Sequence, residues 1–188
     1  MGRSTLPRDY DIGRSLADYL QRIMALERRL AALFGSSTPQ SVATQFARVT
    51  STANQSITNN TQTTVAFDDE LYDNNDMHDN AVNNSRITIN VPGIYTVGFN
   101  GEFASGADYN RVIGSILVNG ATVITREQTP GTGVAAPPRV GATTSRRFAA
   151  GDYIEAQVFQ SNTALAARNL LFLSEYSPIM YAARIGGN

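Results

Sequence analysis

The chain contains no cysteine. That excludes a disulfide framework, a thiolate metal site and a cysteine nucleophile, and it fits assembly in a reducing cytoplasm. Charge is nearly balanced, at −1 net. A nucleic-acid partner is therefore not expected, because no basic excess exists to displace counterions from phosphates. Long apolar runs are missing as well. "NLLFL" is about the longest cluster, far short of the roughly 18 apolar residues that a membrane span needs. The opening "MGRSTLPRDYD" lacks the apolar core of a secretory signal, so a soluble protein made without export is expected. Histidine occurs once, at His78 in "DDELYDNNDMHDN", where a solvated side chain is expected. There is no G-x-S-x-G elbow, P-loop or H-E-x-x-H motif. No catalytic residue and no cofactor are predicted.

What is present suits a folded β domain with an accessory segment. Of 188 residues, 42% are hydrophobic and only 16% charged, enough apolar surface for a buried core. Residues 1–11 are polar and read as an extended segment. Residues 12–34 read as a helix, with Asp9 or Asp11 as amino cap and Gly35 as terminator. Residues 35–45, with "GSSTPQS", read as a linker. From Phe46 to residue 188 the pattern switches to period two with frequent turn signals. "RITINV" alternates Ile87, Ile89 and Val91. "IYTVGFNGEF" sets Tyr95, Val97, Phe99 and Phe103 on one face. "SILVNGATVIT" marks a hairpin at Asn119-Gly120, where two positive φ angles are tolerated. Another turn falls at Ala150-Gly151-Asp152, followed by Ile154, Ala156 and Val158 on one side. "PIMYAARI" alternates Ile179, Tyr181, Ala183 and Ile185. Eight or more strands with no helix between them predict an all-β sandwich or jelly roll.

The helix carries an apolar seam at Ile12, Leu16, Tyr19, Ile23, Leu26, Leu30 and Leu33, spaced alternately four and three. This is a heptad with Leu16, Ile23 and Leu30 at a, and Ile12, Tyr19, Leu26 and Leu33 at d. Arg22 at g and Glu27 at the next e face each other across neighbouring chains of a parallel coiled coil. "RIMALE" resembles the short signature of three-stranded coiled coils, so a homotrimer is expected. The competing reading is an amphipathic helix laid on its own β domain. At 1.5 Å per residue the helix spans about 33 Å, and helices this short associate weakly alone. A short stalk needs a self-associating head.

Residues 46–188 resemble the globular head of the complement-component and tumour-necrosis-factor superfamily. The resemblance is carried by Phe67 with Tyr72 after it, "ITINVPGIYTVGF", the "LVNG" hairpin, "FAAGDYIEAQV" and the closing "SPIMYAARIG". Gly93, Tyr95 and Phe99 meet the family's Gly-x-Tyr pattern, although Val97 stands where an aromatic is common. The run "NLLFLSEY" is longer than the family pattern. The resemblance implies a TNF-like jelly roll of about ten antiparallel strands in a compact homotrimer. Tyr95, Phe99, Phe159 and Tyr181 are then divided between the inter-sheet core and the trimer centre, with the core the simpler place for each.

For metal binding, the acidic stretch is the candidate: Asp68, Asp69, Asp73 and Asp76 foremost, with Glu70 and Asp79 beside them. Calcium favours several carboxylate oxygens around one point. The stretch departs from the EF-hand pattern, and the expectation is a solvated acidic loop without metal, offset in charge by Arg146 and Arg147. Adaptable contacts are expected in the loops 68–84, 104–110, 127–141 and 160–168.

A jelly-roll head on a short helical stem resembles small virion proteins of tailed bacteriophages. The implied function is a non-enzymatic homotrimer, a minor tail, fibre or tip protein that contacts the host surface. The alternative is a capsid decoration protein. Implied partners are the chain itself, other virion proteins through residues 1–11, and a host cell-surface glycan or protein. The implied location is the virion, assembled in the bacterial cytoplasm.

Overall fold

The computed structural model describes residues 12–33, 45–131, 133–174 and 176–187, with helix side chains described from Asp18 to Arg29. Residues 1–11 and most of the 35–45 linker lie outside the described set. The chain divides into two compact units, Met1–Ser41 and Val42–Asn188.

The first unit holds α1, Ile12–Leu33, where the heptad places it. Every side chain from Asp18 to Arg29 is exposed in the single chain. Tyr19 is 63% exposed, Ile23 51% and Leu26 57%. The described middle of the seam is thus an open apolar stripe. Arg22 lies 3.7 Å from Asp18 on its own helix, and neither Arg22 nor Glu27 is covered. The side chains of Ile12, Leu16, Leu30 and Leu33 lie outside the described residues.

The second unit is a jelly-roll sandwich of twelve strands: β1 Phe46–Thr50, β2 Gln55–Ile57, β3 Thr63–Thr64, β4 Asp69–Asp73, β5 Arg86–Thr88, β6 Gly93–Glu102, β7 Tyr109–Val118, β8 Thr122–Pro130, β9 Arg139–Phe148, β10 Tyr153–Asn162, β11 Arg168–Leu170 and β12 Ile179–Gly186. One sheet has the order β4-β1-β12-β6-β9. The other runs β3-β10-β7-β8, with β5 also on β10, and β2 and β11 form a small ribbon. That ribbon accounts for the two strands beyond the expected ten. It also explains the long "NLLFLSEY" run: Leu170 pairs with Gln55 and turns into the core.

Period-two patterning places the core. Tyr95, Val97 and Phe99 on β6 point inward, as do Ile154, Ala156 and Val158 on β10, and all six are fully buried. They meet Phe67, Ile87, Ile89, Val112, Ile116, Met180 and Ala182 between the sheets. Tyr95 and Phe148 pack edge to face at 6.0 Å, and the Tyr95 hydroxyl donates to the Val91 carbonyl at 2.6 Å. Each such side chain contributes roughly 1.5–3 kcal/mol by leaving water. The hairpin forms at Asn119 and Gly120, with φ of 52° and 67°. Asn119 further ties this turn to the next: its side-chain Nδ2 donates to Asp152 and its Oδ1 accepts from the Tyr153 N–H.

Strand β12 differs from the simple reading of its alternation. Met180 and Ala182 enter the core. Tyr181, Ala183 and Ile185 point outward from the sandwich. Both parities of this strand are apolar, so one set must remain outside whichever way it folds.

Candidate functional site

The outward set on β12 builds the most distinctive surface of the head. Antiparallel register lines up Tyr72, Arg48, Tyr181, Gly98 and Thr143 in one row across five strands. The Tyr181 ring packs directly on Gly98, and a Cβ at that position would clash with its Cζ, Cε1 and hydroxyl oxygen. Only glycine admits this close approach. The Tyr181 hydroxyl reaches Thr143 Oγ1 at 3.4 Å, so the side chain spans β12, β6 and β9. Beside it, Phe46 and Tyr72 stack edge to face at 5.1 Å. With Ile179 and Ala183 these rings form a shallow concavity of about 750 Å³. Tyr72 remains 47% exposed and Ile185 58% exposed.

The opposite sheet carries apolar groups outward too: Val123 on β8 is 51% exposed, while two outward aromatics of β10 lie under arginines. The Arg111 guanidinium sits over Phe159 at 5.2 Å, and that of Arg86 over Tyr153 at 4.1 Å. Glu155 accepts from Ser85 Oγ and Arg86 Nε at 3.1 and 3.0 Å. The four aromatics singled out in the sequence therefore divide by position. Tyr95 and Phe99 are core. Phe159 is buried on the outer side of the second sheet, and Tyr181 stands on the outer side of the first.

A second surface lies at the end of the sandwich away from Phe46 and Gly186. Segments 103–108, 133–138 and 163–167 meet there, bringing together described parts of three of the four loops expected to make contacts. The fourth, 68–84, is split, and its 74–85 portion turns at the other end. The distal loops are firmly braced. Arg168 Nη2 donates to both Asp108 oxygens at 2.7 and 2.6 Å. The Tyr109 hydroxyl donates to the Ala104 carbonyl at 2.8 Å, and burial pushes this phenol up to about 12. Fully buried Gln160 donates to the Ile57 and Ala166 carbonyls, while Asn162 exchanges hydrogen bonds with Ala166. On this frame Leu165 is held 77% exposed at φ 54°, a left-handed conformation that costs a leucine about 1 kcal/mol. Among the described residues Val134 is also well exposed at this end, at 63%.

The acidic stretch does not converge. Asp68 accepts from Thr52 N and Oγ1 at 2.6 and 2.7 Å. Burial raises its carboxyl, but these bonds outweigh that and hold it below the usual range. Asp73 accepts from the N–H groups of Asn75 and His78, and Asp79 from those of Ala81 and Val82. These are turn caps. Among the described residues no three His, Asp or Glu side chains come together as metal ligands, and no helix is long and apolar enough to cross a membrane.

His78 is not solvated as its polar surroundings suggested. It is buried at 8% exposure, with Nδ1 2.6 Å from the Arg86 carbonyl oxygen and Nε2 3.0 Å from that of Phe67. The ring ties the 74–85 turn to two core segments. Replacing it by alanine removes the ring from both carbonyls, and His78→Ala is expected to cost about 2 kcal/mol. Urea unfolding checks this: an unchanged midpoint would remove the ring from the fold's support.

No family model and no curated protein matches the sequence. Solved structures match the fold. Murine APRIL at pH 5.0 superposes with a TM-score of 0.57 at 12% identity, over 76% of this chain and 99% of that one. The globular domain of zebrafish complement 1qA gives 0.52 at 15% identity, over 77% and 99%. Eiger TNF from S. frugiperda gives 0.52 at 11% identity, over 77% and 94%. The head has the jelly-roll fold of these TNF and complement heads.

Proposed function

We propose that this chain is a non-enzymatic, self-associating display protein: a homotrimer of jelly-roll heads on a three-stranded coiled coil, carried on a bacteriophage particle as a minor tail, fibre or tip protein that touches the host surface. The observation that carries the reading is the outward face of the β4-β1-β12-β6-β9 sheet. It sets Phe46, Tyr72, Tyr181 and Ala183 together at the surface, whereas the outward aromatics of β10, Tyr153 and Phe159, lie under arginines. A contiguous aromatic patch on a soluble domain marks an interaction site. The same chain supplies a second apolar stripe, the seam of α1, and a second copy is the partner that satisfies both at once.

Three copies follow from the "RIMALE" pattern and the resemblance to trimeric heads. Residues 1–11 are assigned to attachment on other virion proteins. The distal loops are assigned to a host cell-surface glycan or protein, where three weak sites act together. Gold-labelled antibody on intact particles, viewed by electron microscopy, tests the location. Label at the tail is expected. Label spread over the shell would make the protein a capsid decoration instead, and particles without label would end the virion reading.

A further inference from the structure

The loops at the distal end of the head have a chemistry of their own. Segments 103–108, 133–138 and 163–167 hold one another there: Gly106 bridges to Ala136, and the Thr163 N–H donates to the Asp108 carbonyl at 3.0 Å. Charge is all but missing from them. No Asp, Glu, Arg, Lys or His occurs between Glu102 and Asp108, between Glu127 and Arg139, or between Glu155 and Arg168. Four of these bounding charges cancel in pairs, Arg139 on Glu102 at 2.7 Å and Arg168 on Asp108 at 2.6 Å. Arg111, near the start of β7, keeps its guanidinium over Phe159 on the outer side of the second sheet. Asp69 opens β4, three strand positions from β6, about 14 Å at the usual spacing, so the acidic edge stands to one side.

We infer that this tip rests in the headgroup layer of a neutral lipid surface, with Leu165 and Val134 as the apolar points that enter it. The inference rests on the reading that the distal end faces the host, and it names a partner beyond the glycan or protein assigned there. Leu165 is 77% exposed and Val134 63%, and Ala107, Ala135, Ala164 and Ala167 of the same segments are exposed as well. An apolar medium accepts backbone only where its hydrogen bonds are already made. The tip meets that demand from within. The N–H groups of Ala104, Ala136, Thr163 and Leu165 all donate to carbonyls of the head, and that of Ala166 donates to Asn162 Oδ1. The Ala166 carbonyl accepts from both Gln160 and Asn162, and the Ala104 carbonyl from the Tyr109 hydroxyl. Pro137 and Pro138 have no N–H to satisfy.

The same residues fit other partners less well. A glycan site sets convergent polar groups beside an aromatic wall. Here Phe103 and Tyr109 are buried, and Gln160 and Asn162 are buried in the frame. Protein partners are gripped mainly by Trp, Tyr and Arg anchors, and the three segments contain none. Aliphatic points on a neutral surface whose backbone is already bonded suit lipid, where no directional bond is needed. With no free cation in these segments, attraction to anionic lipid is not part of the contact. The tip touches the bilayer and does not cross it. Three copies on one stalk add their contacts.

Flotation of the full chain with vesicles of phosphatidylcholine and phosphatidylethanolamine tests this. Wild type is expected to float, with no gain from added phosphatidylserine and no loss between about 0.01 M and about 1 M salt. Leu165→Asn with Val134→Asn is expected to weaken flotation at least roughly tenfold. Its melting temperature should not fall, because asparagine accepts the left-handed backbone at position 165. The chain has no tryptophan, so Leu165→Trp supplies a single reporter. Its emission should shift to the blue on vesicles and be quenched by brominated acyl chains. Wild type that stays unbound, a double variant that floats as well as wild type, or tryptophan emission that vesicles leave unchanged overturns the lipid contact. Binding to host cells that protease treatment abolishes, without flotation, assigns the tip to a protein and overturns it too. Particle labelling keeps the two readings apart. Label at the tail without flotation removes the lipid contact alone, and flotation with unlabelled particles removes the display role alone.

Discussion

Tyr181→Asp is expected to reduce the assembly to monomers while leaving the head folded. Tyr181 lies outside the inter-sheet core; the inward positions of β12 are Met180 and Ala182, which this change does not touch. The head should therefore stay folded as a monomer, melting lower only by the stabilisation that association supplied. The association term is different. Covering one aromatic ring contributes about 2 kcal/mol, so three copies contribute about 6 kcal/mol to one trimer. At 1.4 kcal/mol per factor of ten, losing it weakens the trimer roughly ten-thousand-fold. The aspartate adds a desolvation cost in the same direction. Gly98→Ala is the finer probe. It adds a single methyl, but where the Tyr181 ring now rests, so the ring must lift and the face loses its shape. A smaller loss of association with an intact fold is expected. A Tyr181→Asp protein that still sediments as wild type would remove this face from the account.

The second large effect is expected in the stalk. Ile23→Asp with Leu26→Asp places charge at adjacent a and d positions, six carboxylates in a trimeric core. Each buried without a partner costs several kcal/mol, which no 22-residue coiled coil of this kind can absorb. Because isolated helices of this length are marginal in water, the helical circular dichroism should fall together with association, by at least roughly a hundredfold. The β signal of the head should remain. A double variant with unchanged helicity and mass would show that the seam packs on nothing.

The fold was largely readable because its strands obey period two. Ile87 and Ile89, the β6 aromatics and the Asn119-Gly120 turn each state their place locally, and each is found there. The candidate face was half readable. Tyr181 was visible as an aromatic in a strand, but β12 is apolar in both parities, and only the cross-strand neighbours Gly98 and Met180 decide which set goes inside. His78 was misread for a related reason. Its sequence neighbours are polar, while its ring is held by the carbonyls of Phe67 and Arg86, eleven and eight residues away. The carboxylates of 68–79 looked like possible ligands because they cluster in sequence. Asp73 and Asp79 instead accept from N–H groups of their own separate turns, and Asp68 is held by Thr52.

Sedimentation equilibrium of the purified full-length chain at micromolar concentration measures the central claim most directly. The predicted mass is three times the 20.3 kDa of the chain. A single species at 20.3 kDa, stable as concentration rises, would contradict the aromatic face, the stalk and the display role together.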